Sequence, residues 1–111
     1  MTKGEADESG YNGVMLRHIV LLTLRPDAPP EAAATIVDAL RGLVVVVPSI
    51  RDYQAGVDVG IASGNATIAA TAIFDDVAGY LEYRDHPAHR AVIERYIDPV
   101  RESRAAIQFE I

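Results

Sequence analysis

With 111 residues, half of them hydrophobic, the chain is long enough for one domain with its own core and too apolar to be disordered throughout. A formal net charge of −6 offers no basic surface to nucleic acid or anionic lipid. The lack of cysteine removes disulfides, thiolate metal sites and thiol nucleophiles. The first fourteen residues, MTKGEADESGYNGV, are polar and acidic, without the basic start and apolar run of a secretory signal. They read as a disordered tail over residues 1–14, ahead of a domain over 15–111. The longest apolar run, Leu43 to Val47, is far short of a membrane span. A soluble, cytoplasmic protein with no membrane or nucleic-acid partner is expected.

Leu16 to Leu24, LRHIVLLTL, is β-branched and aliphatic and stops before Pro26, the pattern of a strand. One of its faces holds His18, Val20, Leu22 and Leu24, the other Ile19, Leu21 and Thr23. Both are mainly apolar, so both need cover. Pro29 and Pro30 suit the first turn of a helix, and Ala33, Ile36, Val37, Leu40 and Val44 follow as one stripe until Pro48. A less regular strand is predicted over Ile50 to Val59, and Gly64-Asn65 marks a connection. A clear strand, ATIAATAIF, follows from Ala66 to Phe74. Asp75 or Asp76 can cap a second helix with Val77, Tyr80 and Leu81 on one side. That helix must break before Pro87, which can open a third, short helix through Tyr96. Asp98-Pro99 ends it, and RAAIQFEI is a last strand with Ala105, Ile107, Phe109 and Ile111 alternating.

Strand, helix, strand, strand, helix pair, strand is the split βαβ order of an α+β, ferredoxin-like βαββαβ protomer. Helices cover one face of such a sheet. The other face, apolar too, calls for a second copy of the chain, so a homodimer with sheets facing each other is expected. A charge at Val20 or Leu22 breaks that pairing if theirs is the face the partner covers.

The stretch YRDHPAHRAV, Tyr83 to Val92, concentrates the groups able to move protons near neutral pH. A metal clip from His86 and His89 is disfavoured, because Pro87 lies between them and no third ligand is apparent. No metal or other cofactor is expected, since neither a phosphate-binding loop nor a zinc-protease motif occurs. In a short helix starting at Pro87, His89 falls on the side of Val92, Ile93 and Tyr96, which must point inward. His86 precedes the proline and is free to cap the chain. Two readings of the stretch stand. In one, an imidazole base and the Tyr83 phenol share a dry cavity and serve an enolate. In the other, the histidines cap a broken helix and Tyr83 fills the core. Tyr53, Tyr80 and Tyr96 read as packing residues.

RHIVLLTL, VPSIRDYQAGVDV and YRDHPAHRAVIERYIDP, in this order and spacing, resemble the stress-responsive dimeric α/β-barrel (Dabb) domain over Leu16 to Ile111. The resemblance implies a ferredoxin-like protomer that pairs with its twin into a dimeric α/β barrel. That family includes stress-induced proteins and polyketide cyclases that close a ring by aldol chemistry. In the cyclases a tyrosine and the second histidine of His-Pro-x-His form the acid–base pair, positions that read Tyr83 and His89 here, and a strand-one histidine near the pocket reads His18. The expected function is binding of a small hydrophobic or aromatic molecule in a barrel cavity, with His18, Val20 and His86 as ligand contacts. A cyclase-like lyase using Tyr83 and His89, and a non-enzymatic stress-response protein, are the alternatives.

Overall fold

The computed structural model describes residues 14–111, so the tail expected over residues 1–14 lies outside them except for Val14. Four strands form one antiparallel sheet: β1 (Leu16–Leu24), β2 (Ile50–Val57), β3 (Ile68–Phe74) and β4 (Arg101–Glu110), in the order β2-β3-β1-β4. Between β1 and β2 run α1 (Ala32–Arg41) and the single turn α2 (Leu43–Val46). Between β3 and β4 run α3 (Val77–Asp85), α4 (Pro87–Val92) and a π-helical turn, Ile93–Ile97. The fold is ferredoxin-like.

The period of two decides what each strand residue meets. Leu16, His18 and Leu22 of β1 and Ile68, Ala70, Ala72 and Phe74 of β3 lie under the helices and are buried. Ile36, Val37 and Leu40 of α1, then Leu43 and Val47, close over them. Phe74 is fully buried beneath the rings of Tyr80 and Tyr83, so its truncation to alanine costs about 3–5 kcal/mol. Arg41 ties α1 to edge strand β2, its Nη2 donating to the Ala55 carbonyl at 2.8 Å.

The structure corrects three expectations. The first helix ends at Arg41 and a new turn starts after Gly42, which brings Leu43 inward and leaves Val44 exposed. In α3 Leu81 faces out, and Tyr83 is the buried residue. The second strand stops at Val57, with Val59 and Ile61 exposed in the loop after it. Asp76, one of the two candidate caps, accepts the Gly79 N–H at 2.8 Å.

Val20 and Leu22 point under the helices, so they are not the face left for a partner. Cross-strand register puts Ile19 opposite Ile107 and Leu21 opposite Ala105 on the other side. There Leu21 is 42% exposed, Ile107 57% and Phe109 41%. No helix among the described residues covers that side. No described helix is long and apolar enough to cross a membrane.

Candidate functional site

His18 belongs to the helix-covered face of β1 and is only 4% exposed. Antiparallel register sets Gln108 of β4 directly across from it, and the Gln108 amide Nε2 donates to His18 Nδ1 at 2.9 Å. The neutral ring therefore holds its own proton on Nε2. Burial, then the positive field of Arg104 and the nearby His89, lower its pKa from 6.5 to about 4, so the ring is uncharged at neutral pH. The Tyr80 ring packs beside it at 5.0 Å.

The break between α3 and α4 separates the other two histidines. His86, held extended before Pro87 (φ −62°, ψ 135°), turns its Nδ1 back to accept the Ala88 N–H at 3.0 Å and caps α4. His89 lies within α4, where its Nδ1 donates to the Arg84 carbonyl, 3.0 Å away, one of those left open at the end of α3. The other ring nitrogen, Nε2, then carries a free lone pair. Burial lowers the His89 pKa, and the bond to the Arg84 carbonyl partly offsets this. Tyr83 is 2% exposed. Its ring lies 4.2 Å from that of His89 at 33°, and its hydroxyl is 3.1 Å from the hydroxyl of Tyr53. Burial above all raises the Tyr83 pKa, so the phenol keeps its proton.

These groups meet around a cavity of about 350 Å³ between the sheet and the α3–α4 segment. Val20, Leu22, Leu40, Ile93 and Ile97 form its apolar wall, and His18, Tyr80, Tyr83 and His89 its aromatic one. Of the five residues expected at a site, His18, Val20, Tyr83 and His89 line the cavity, and His86 does not. Its ring is committed to the cap. Among the described residues, no three His, Asp or Glu side chains are grouped to hold a metal ion. What the arrangement offers is a hydrogen-bond donor at His18 and an acceptor at His89, both neutral, in a chamber lined by apolar, aromatic and charged side chains.

Sequence reasoning missed several members. Tyr80 was read as packing, yet it lines the chamber, and Tyr53 holds the Tyr83 hydroxyl from β2. Gln108 gave no signal, because 90 positions separate it from His18 and only strand register joins them. Arg84, Arg90, Arg101 and Arg104 also line the cavity. Their clustering is invisible along the chain, since two come from helices, one from each end of the break, and two from β4.

An antiparallel four-stranded sheet with helices on one side and a chamber between them defines a ferredoxin-like α+β protein. The chain belongs to the stress responsive A/B barrel domain (Dabb) family, whose profile matches residues 16–111. It is similar to a dimeric ferredoxin-like protein of unknown function from Thermobifida fusca, with 34% identity and a TM-score of 0.81, covering 91% of this chain and 94% of that one. A dimeric protein of ferredoxin-like fold from Bacteroides fragilis shares 28% identity, with a TM-score of 0.78 over 91% of this chain and 99% of that one. The hydroxynitrile lyase of Passiflora edulis has a TM-score of 0.75 at 19% identity, over 89% and 94% of the two chains, a likeness of fold alone. A search of curated proteins finds no match.

Proposed function

We propose that the protein is a homodimer in which each protomer binds a small, mainly apolar or aromatic molecule between its sheet and helices. The observation that carries this reading is the cavity of about 350 Å³ that reaches His18 and His89, at the small end of the range for ligand sites. A protein whose product is the assembly alone has no need of such a chamber. Dimerisation is supported by the uncovered apolar sheet face and by the dimeric relatives from Thermobifida fusca and Bacteroides fragilis.

A second reading, a polyketide-cyclase-like lyase, is favoured by the hydrogen bonding of His89. With Nδ1 donating to the Arg84 carbonyl, Nε2 is left as a base for a proton next to a ligand carbonyl. The Tyr83 phenol, stacked on the same ring, is then the acid that steadies the enolate oxygen. One protein preparation tests both readings. In His89→Ala, ligand affinity, melting temperature and turnover of a poly-β-ketone are measured together. Weaker binding with the fold intact is expected. Loss of turnover by roughly a hundredfold or more, matched by Tyr83→Phe, establishes the enzyme. Unchanged binding with a lowered melting point sinks the lyase and leaves His89 a structural residue, while a wild-type protein that binds no small apolar molecule sinks the first reading.

A further inference from the structure

The chain as a whole is acidic, but its cavity is not. Among the described residues, Arg84, Arg90, Arg101 and Arg104 line the chamber against a single carboxylate, Asp98. Two of these arginines are occupied. Arg84 forms a two-pronged pair with Asp85, at 2.9 Å and 3.1 Å, and Arg101 faces Asp98 at 3.4 Å. The side chains of Arg90 and Arg104 form no hydrogen bond or salt bridge among the described residues. We infer that the cavity takes an organic anion, a small apolar carboxylate whose charged end lies against Arg104 and Arg90.

The placement of Arg104 supports this. It lies across from Leu22 in the β1–β4 register, on the face of β4 that also carries Gln108. From there its charge is felt by His18, by His89 and by Tyr83, so it acts on the chamber rather than only on bulk water. Arg90 sits one residue past His89 on α4 and contributes to holding the Asp85 carboxyl low, behind the direct pairing of Asp85 with Arg84. Exposed arginines are ordinarily just solvated. What sets these apart is four of them at one chamber in a chain of net charge −6.

Guanidinium presents paired N–H groups that match a carboxylate, and the Nε2–H of neutral His18 is a further donor to an anionic oxygen. A phosphate fits less well. Phosphate sites draw on glycine-rich loops and free backbone N–H groups, whereas no glycine among the described residues lines this chamber and the Ala88 N–H at the start of α4 is taken by His86. A chamber of about 350 Å³ also suits one ring or a short chain better than a nucleotide-bearing carrier.

This inference rests on the cavity being a binding site and names the class of ligand. It is tested by calorimetric titration of the full chain with matched pairs, cinnamate against cinnamamide and hexanoate against hexanamide, at low and at roughly physiological ionic strength. Each acid should bind about tenfold or more tightly than its amide, with the gap narrowing as salt rises. Arg104→Gln should remove most of the gap by weakening the acid far more than the amide, and Arg104→Lys, which keeps the charge but not the paired N–H groups, should retain part of it. Acid and amide binding alike in the wild type overturns the anion and leaves the cavity reading standing. No binding by any pair overturns both. An undiminished preference in a folded Arg104→Gln protein removes Arg104 from the site. If that variant does not fold, the wild-type comparison and Arg104→Lys still decide.

Discussion

The amide of Gln108 donates to Nδ1 of His18 across 2.9 Å, so a residue near the end of the chain sets which nitrogen of a first-strand histidine carries the proton. Gln108→Leu removes that donor. The Nδ1 lone pair is then buried without a partner, at a cost of about 1–3 kcal/mol. We expect a lower melting temperature and, in long-range nitrogen–proton NMR spectra of the imidazoles, His18 shifting toward the Nδ1–H form. An unchanged tautomer would show that something other than Gln108 directs the ring.

The pH dependence of stability follows from the same histidine. In the unfolded chain His18 takes up a proton near 6.5, in the folded chain only near 4. Between those values the unfolded state binds more protons, so stability is complete above about pH 6.5 and falls as the pH drops toward 4. For His18 the loss amounts to about 3 kcal/mol, and His89, also lowered, adds in the same direction. Urea unfolding at about pH 7 and about pH 4.5 should show the decline, and His18→Gln should flatten it. Equal slopes in the two proteins would mean that other groups carry the acid sensitivity.

The two histidines of the broken helix should separate cleanly. His86→Ala removes a cap and should cost about 0.5–1 kcal/mol of stability while cavity ligands bind as before. His89→Ala should do the reverse, with affinity falling more than stability. Parallel melting curves and titrations on the two variants check this, and a binding defect in His86→Ala contradicts the assignment.

Pairing of the sheets is tested on the open face. Ile107→Arg or Leu21→Glu should convert a species of twice the 12.0 kDa chain mass into monomer by light scattering, with the secondary structure kept. Leu22→Glu should instead unfold the protomer, because Leu22 is buried under the helices. A wild-type monomer would end the dimer proposal.

Local rules carried much of the fold. β-Branched and aliphatic composition set β1 over Leu16–Leu24, Asp76 capped α3, and Pro87 divided the helix pair. Periodicity also disclosed that β1 has two apolar faces, but not which of them the helices take, and that choice reverses the roles of Leu21 and Leu22. The Leu43–Val44 and Leu81–Tyr83 exchanges have a similar cause. An interruption such as Gly42 rotates all that follows, and neighbouring aliphatic residues give the stripe no unique phase. Of the site, Tyr83 and His89 stood out by their chemistry, and His18 by the family resemblance. Their partners Tyr53, Gln108 and Arg104 arrive through cross-strand register and helix packing, which local pattern does not encode.

The alternation along β4 ties two surfaces to one reading frame. Arg104 lines the chamber and Gln108 holds His18 from the same side of β4, while Ala105, Ile107 and Phe109 lie on the open face. Sliding β4 by a single residue against β1 would exchange the sets, placing aliphatic and aromatic groups beside His18 and an arginine where a second sheet is to pack. A protomer with a wrongly docked last strand would therefore lose the polar contacts that β4 brings to the chamber and the apolar face proposed for pairing in one error. Under the proposed pairing, assembly would favour those copies whose final strand settled in the frame that also builds the chamber.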